Sequence, residues 1–159
     1  MHILVISDTH RKDVYMREVI SRVGKVDMVF HLGDIEGSDQ LLMSLCECPV
    51  IIVRGNNDFF SVQERDRVMA LGNHRILLTH GHNYGVSFTT VRLAEEAIAR
   101  NCDIALYGHT HVPSLTEEKG VTLFNPGSLG YPRQVPRKPT YGLIEIDRFE
   151  EVHYTICEM

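Results

Sequence analysis

Short apolar runs that each stop abruptly on a polar residue constrain this chain more than any other feature. Ile3-Leu4-Val5-Ile6 stops at Ser7-Asp8, Met28-Val29-Phe30-His31-Leu32 at Gly33-Asp34, and Val50 to Val53 at Arg54-Gly55-Asn56. Arg75 to Thr79 stops at His80, and Asp103 to Tyr107 at Gly108-His109. Runs of this length without alternation fit strands covered on both faces, as in a helix-flanked sheet. Between them, Val14, Ile20 and Val23 recur near helical spacing and Gly24 stops the period. Ser38-Asp39 is placed to cap a helix carrying Leu41, Leu42 and Leu45, with Pro49 beyond its end. Strand, helix, strand, helix, strand is the order of a parallel α/β unit.

The second half changes character. Ser87-Phe88-Thr89 opens a helix with Val91, Ala94, Ala97 and Ile98 along one stripe. After Gly108-His109 no helical period remains. Val112 to Thr116 and Val121 to Phe124 flank Glu117-Glu118-Lys119-Gly120, and Tyr141 to Ile146 and Val152 to Ile156 flank a polar turn, so two hairpins are expected. The charge run from Glu64 to Arg67 reads as a solvated face. The expected architecture is α/β with mixed sheets, parallel first and antiparallel later, and helices on the outer faces. No repeat or linker breaks the chain, so residues 1–159 are read as a single domain.

A chain of 159 residues with 43% apolar and 23% charged side chains can bury a core without disulfides. Its four cysteines form no C-x-x-C pair and read as reduced thiols. Runs such as Ile3–Ile6 are far short of the ~20 residues that cross a bilayer. Met1-His2-Ile3-Leu4-Val5 has no basic segment or cleavage site of a signal peptide. A cytoplasmic protein with no membrane partner is expected. The net charge of -5 disfavours a long nucleic acid, whose binders need many cationic phosphate contacts. It does not disfavour a small phosphorylated substrate held by metal.

Turns favour Asp and Asn, so one polar residue after a strand means little. Asp8, Asp34, Asn56, His80 and His109 in succession mean more, because all are metal-ligating types. In open α/β sheets ligand sites form at the carboxyl edge of the strands, and Gly33, Gly55, Gly81 and Gly108 permit the tight turns that let side chains converge. The nine histidines are concentrated: His80 and His82 form one H-x-H pair, His109 and His111 another, and His10 follows Asp8 by two. Asp, Asn and His without Cys suit Mn²⁺, Fe²⁺, Zn²⁺ or Ni²⁺. The donors are too many for one ion and suit two, ~3.5–4 Å apart, the usual clamp for attack on a phosphorus ester.

Asp8-Thr9-His10, Gly33-Asp34, Gly55-Asn56-Asn57-Asp58, Thr79-His80-Gly81-His82 and Gly108-His109-Thr110-His111 together resemble, in order, the motifs of the calcineurin-like metallophosphoesterases. Asn125-Pro126-Gly127-Ser128 followed by Pro132-Arg133 resembles their small prokaryotic branch, the compact phosphodiesterases of the YfcE type. The resemblance implies a four-layer α/β/β/α sandwich. It implies that Asp8, His10 and His111 hold one metal, Asp34 bridges both, and Asn56, His80 and His109 hold the second. Two divalent ions are implied, Mn²⁺ first, with Ni²⁺, Zn²⁺ or Fe²⁺ as alternatives. They would generate a bridging hydroxide that hydrolyses a small soluble phosphate diester while Asn56 helps to stabilise the growing charge. A phosphomonoester or a dinucleoside polyphosphate are alternative substrates on the same site. A non-catalytic protein-binding scaffold, like the retromer subunit of this fold, is the alternative from another class, and the complete set of ligand types weighs against it. A homo-oligomer is compatible with the sequence.

Around this core, His82 either contacts substrate or orients His80. His31 reads as a buried support for Asp34, Asn125 as a loop brace, and Asp58 as the hydrogen-bonded anchor of its own loop. Two positions depart from the family pattern. Arg11 replaces a common glycine and offers a guanidinium to phosphate oxygens, with a surface role as the alternative. Asn57 replaces a common histidine or cysteine. It is placed beside the substrate, yet an amide cannot donate a proton as a general acid does.

Overall fold

Alternation along the strands decides the layering. In the computed structural model, which describes residues 1–159, the first strand is β1 (His2–Ile6). Its Ile3 and Val5 join one buried cluster and its Leu4 and Ile6 another. The elements that follow are α1 (Asp13–Val23), β2 (Met28–His31), α2 (Asp39–Leu45), β3 (Val50–Ile52), β4 (Asp66–Leu71) and β5 (His74–Thr79). Then come α3 (Val91–Ala99), β6 (Ile104–Leu106), β7 (Ser114–Glu118), β8 (Val121–Asn125), β9 (Thr140–Ile146) and β10 (Val152–Glu158), with a short 3₁₀ turn at His82–Tyr84 before α3.

The strands form two sheets, β10-β9-β1-β2-β3 and β4-β5-β6-β8-β7. Each has a parallel run: β1-β2-β3 in the first, ending at the β3 edge with antiparallel β9 and β10 on the other side, and β5-β6-β8 in the second, flanked on both sides by antiparallel β4 and β7. The sheets pack face to face over Ile3, Val5, Phe30, Ile76, Leu78, Leu106 and Phe124, all buried. On the outer face of the first sheet, Leu4, Ile6 and Val29 meet Met16 and Val19 of α1 and Leu42 of α2. On the outer face of the second, Leu77, Ala105 and Leu123 meet Leu93, Ala94 and Ala97 of α3. The result is the α/β/β/α sandwich expected from the sequence. No helix is long and apolar enough to cross a membrane.

Local departures have local causes. The charged stretch read as a solvated face leads into β4, which pairs antiparallel with β5 from Asp66–Thr79 to Leu71–His74. An edge strand tolerates such charges because one side of it meets water. Helix α3 begins at Val91, and its buried stripe is Leu93, Ala94 and Ala97 while Ile98 stays 47% exposed. Ser38 stands at the start of α2 but makes no capping bond; its hydroxyl donates to Asp13 Oδ1 at 2.7 Å and ties α2 to α1. The β7–β8 turn is only Lys119-Gly120, both with positive φ (54° and 80°), as a tight two-residue hairpin requires.

Candidate metal centre

The carboxyl ends of both parallel runs point to the same side of the molecule, and the loops that leave them carry the candidate ligands. Parallel register brings Ile6 level with His31 and His31 level with Ile52, so Asp8, Asp34 and Asn56 leave adjacent strands. The backbone then turns sharply. Asp8, His10, Asp34, His109 and His111 all have positive φ, between 44° and 68°, a region that non-glycine residues rarely enter. Such conformations persist only where surrounding contacts impose them, and they concentrate at functional sites. Glycine is needed here for close approach as well as for turning: a side chain on Gly108 would run into Ser7 Oγ and Asp8 Oδ2, and one on Gly55 into Asp34.

Asp8 is fully buried. Its Oδ2 accepts from Ser7 Oγ at 2.6 Å and from the His109 N–H at 3.0 Å. Its Oδ1 is buried without a hydrogen-bond partner, 3.2 Å from His111 Nε2 and 3.9 Å from both His10 Nε2 and His80 Nε2. Asp34 is equally buried. Its Oδ2 lies 3.7 Å from His10 Nε2 and 3.5 Å from His80 Nε2.

The far sides of these imidazoles are already occupied. His10 Nδ1 meets Glu36 Oε1 at 2.6 Å, His80 Nδ1 meets the Leu32 carbonyl at 2.7 Å, and His111 Nδ1 meets the Tyr131 carbonyl at 2.7 Å. Acceptors at Nδ1 place the proton of a neutral ring there and turn the Nε2 lone pair inward. His10 and His111 bring their Nε2 atoms to 3.3 Å of each other. Imidazole Nε2 atoms and carboxylate oxygens thus converge on one point, a donor set suited to positive charge. Burial alone would raise the pKa of Asp34, but bonding to His80 and Asn57 outweighs it and holds the carboxyl far below the usual range. For His80, burial would lower the pKa, and Asp34 and Asp8 outweigh that to favour its charged form. Divalent cations fit this donor set, and would replace the proton on His80.

Two tight donor groups emerge, Asp8–His10–His111 and Asp8–Asp34–His80. Asn56 Oδ1 adds a donor 3.1 Å from His80 Nε2. The ring of His109 packs edge-on against His80, 5.2 Å between centroids, outside both groups. Burial, then the charge of His80, hold His109 and His82 toward the neutral form. Asp8 Oδ1 and Asp34 Oδ2 both lie among these imidazoles.

The supporting residues differ from expectation in part. Asn57, expected beside the substrate, instead donates its amide to Asp34 Oδ2 at 2.6 Å and its N–H to Oδ1 at 2.8 Å. It clamps a candidate ligand. Asp58 accepts from Gly55 N–H within its own loop, as expected, and also from the N–H groups of Asp34 and Glu36. Asn125 braces Gly108 and Thr110, and Ser128 donates to the Asp8 carbonyl. Glu36 and Tyr131 were not singled out from the sequence; no spacing signals a carboxylate or a carbonyl that acts through a histidine. Arg11 is exposed and lines an open pocket of about 660 Å³ with Glu36, Asn57 and the Phe59–Gln63 loop. His82 lies 5.3 Å from the His80 ring, with Nδ1 buried and without a partner.

His31 is fully buried. Its Nδ1 accepts from Gly33 N–H at 3.2 Å, so Nε2 donates to Thr9 Oγ1 at 3.0 Å. Burial lowers its pKa from 6.5 to about 4. A depressed histidine stabilises the fold above its unfolded pKa, and that contribution is lost as pH falls from 6.5 toward 4. Between pH 7.5 and 4.5 wild type is expected to lose roughly 2–3 kcal/mol through this group. Urea unfolding of wild type and His31→Gln across that range checks it; parallel profiles would reject the assignment.

The model of the calcineurin-like phosphoesterase superfamily domain matches residues 1–148. The chain is 30% identical to a probable metallophosphoesterase of Bacillus subtilis, YsnB, over 92% of this chain and 85% of that one. It is 32% identical to the Escherichia coli phosphodiesterase YfcE over 62% of this chain and 53% of that one. Among solved structures, a conserved protein of Streptococcus pneumoniae described as a predicted phosphoesterase superposes with a TM-score of 0.80 at 35% identity, covering 99% of this chain and 97% of its own.

Proposed function

Because the chain belongs to the calcineurin-like phosphoesterase superfamily, a family of metal-dependent phosphoesterases, we propose that it is a phosphodiesterase with a dinuclear centre acting on small phosphate esters. One observation carries the reading: Asp8 Oδ1 and Asp34 Oδ2 lie among imidazole Nε2 atoms whose Nδ1 atoms are already bonded elsewhere. Asp8, His10 and His111 would hold one ion and Asn56, His80 and His109 the other, with Asp34 between them. Bound there, the ions supply hydroxide near neutral pH and stabilise charge on phosphorus.

The chain's own groups do the rest. Glu36, the Leu32 carbonyl and the Tyr131 carbonyl orient the imidazoles, and Asn57 and Asp58 fix the loop that carries Asp34. With Oδ1 turned to His80, the Asn56 amide has N–H groups to offer a phosphoryl oxygen. Arg11 and His82 stand at the rim toward substrate. The proposed substrate is a small molecule; a long nucleic acid or a membrane is not part of this reading, and the proposed location is cytoplasmic. The complete ligand set and the identity to a named phosphodiesterase favour catalysis over a scaffold role.

The test is a hydrolysis screen of phosphate mono- and diesters on chelator-stripped protein, with Mn²⁺, Ni²⁺, Zn²⁺ and Mg²⁺ restored separately. Diester cleavage absent without metal and restored by Mn²⁺ is expected. Activity that ignores the metal would overturn the proposal.

Asn57 adds a prediction of its own. Its amide is engaged with Asp34 and has no acid proton. Leaving groups of high pKa therefore lack the help of a general acid, typically worth 10²–10⁴-fold. Wild type is expected to cleave nitrophenyl diesters at least about 10²-fold faster than dialkyl diesters. Comparable rates on the two would reveal a proton donor and refute the prediction.

A further inference from the structure

A small pocket adjoins the candidate metal centre on its Asn56 side. It has a volume of about 260 Å³ and is lined by Arg54, Gly55, Asn56, Asp58, Phe59, Arg65 and His82. Asn56 belongs to both places, since its Oδ1 reaches His80 Nε2, and His82 packs on His80. A molecule reacting at the centre can extend into this pocket without a gap.

Two arginines, Arg54 and Arg65, line that space in a protein whose net charge is -5. Of the acidic residues nearby, Glu64, whose carbonyl accepts from the Arg54 N–H, forms no ion pair with either arginine, and two others are engaged elsewhere. Asp58 spends its carboxylate on three backbone N–H groups. Asp66, next to Arg65, binds Tyr84 and Arg100. Arg54 and Arg65 are left without an ion pair, beside a His82 Nδ1 that is buried and unpartnered. A guanidinium presents a planar fork of donors that matches phosphoryl oxygens better than any other side chain does. Phe59, 78% exposed at the same rim, offers a ring face to a planar group.

We propose that Arg54, Arg65 and His82 form a subsite for a second phosphoryl group, so that the preferred substrates are phosphoanhydrides whose leaving group is itself a phosphate. The inference rests on the phosphodiesterase reading and narrows its substrate. Water adds across the P–O–P link: its oxygen bonds to the attacked phosphorus, and the bond from that phosphorus to the bridging oxygen breaks. The electron pair stays on the bridging oxygen, which becomes a terminal oxygen of the leaving phosphate, and the protons of water pass to solvent. A phosphate leaves as a weakly basic anion, so the lack of an acid at Asn57 costs such substrates little. The two arginines stabilise the charge that appears.

The experiment has two arms. In the first, inorganic pyrophosphate is titrated calorimetrically into metal-free wild type, Arg65→Gln and Arg54→Lys. Arg65→Gln should weaken binding about tenfold, the range for one lost charge-assisted contact. Arg54→Lys, which keeps the charge but loses the fork, should weaken it less. In the second, Mn²⁺-loaded proteins are compared on P1,P3-diadenosine triphosphate and bis(4-nitrophenyl) phosphate. The ratio of kcat/KM values, triphosphate over nitrophenyl ester, should fall about tenfold in Arg65→Gln, carried by KM. No pyrophosphate binding to wild type, or equal losses on both substrates, would overturn the subsite. Absence of any metal-dependent cleavage of bis(4-nitrophenyl) phosphate would instead overturn the phosphodiesterase reading itself.

Discussion

Asp34→Asn is expected to lower metal-dependent diester hydrolysis by at least about 10³-fold, the effect of losing several kcal/mol of charge stabilisation at the reacting centre. The fold should survive, for a local reason. The Asp34 carboxylate accepts from the N–H and the side-chain amide of Asn57. An asparagine keeps one acceptor for the N–H. Rotation of the Asn57 amide then presents its oxygen to the new NH₂, so no buried group is left unpaired. What disappears is negative charge between His10 and His80, and with it the affinity for cations. Two measurements check this: steady-state kinetics under saturating Mn²⁺, and metal content after dialysis. A variant that keeps most of its activity would remove Asp34 from the centre. A fall in the metal-free unfolding midpoint of more than a few degrees would show that the side chain also holds the fold.

Asp58→Ala should act in the opposite way, on stability first. One buried carboxylate accepts the N–H groups of Asp34 at 2.7 Å, Glu36 at 2.6 Å and Gly55 at 2.7 Å. It joins the loop after β2 to the loop after β3. Removing it strands three N–H groups, each worth about 1–3 kcal/mol when buried and unpaired. Because the residue borders open pockets, water will recover part of this, and a loss of about 3 kcal/mol is expected. In a domain of this size that is a fall in Tm of roughly 6–12 °C. Asp58→Asn keeps acceptor capacity and should lose about half as much. Metal affinity should fall with it, because the loop that holds Asp34 loosens; outer partners of ligands are typically worth about 10–100-fold. Thermal and urea unfolding decide the first point and metal titration the second. A variant within about 0.5 kcal/mol of wild type, the scale of a neutral surface change, would show that the N–H groups find other partners.

Periodicity and punctuation carried much of the fold. Apolar runs too short to be helices and too continuous to be half-exposed strands required covered sheets, and the polar residue closing each run marked the carboxyl edge. β1, α1, β2, α2 and β3 lie where those signals put them. β4 escaped because the stretch leading into it is charged and its own strand has an exposed edge, so the pattern that reveals a buried strand was absent. The candidate ligands were legible for the same reason as the strands: Asp8, Asp34, Asn56 and His80 must follow their strands to reach a common edge. The chemistry of the site was therefore local in sequence.

Tertiary structure decided what those residues face. That Asp8 Oδ1 lacks a partner, that His10, His80 and His111 turn their Nε2 atoms inward, and that Glu36 and the Tyr131 carbonyl fix two of those rings depends on contacts between distant loops. Asn57 shows the difference most clearly. In the sequence it is a missing acid beside the substrate; in the fold its amide reaches back 23 positions to clamp Asp34. A residue type and its spacing state what a side chain is able to do. Which of those capacities is used depends on the partners that packing brings within hydrogen-bonding distance, and those are set by long-range register, which no local pattern encodes.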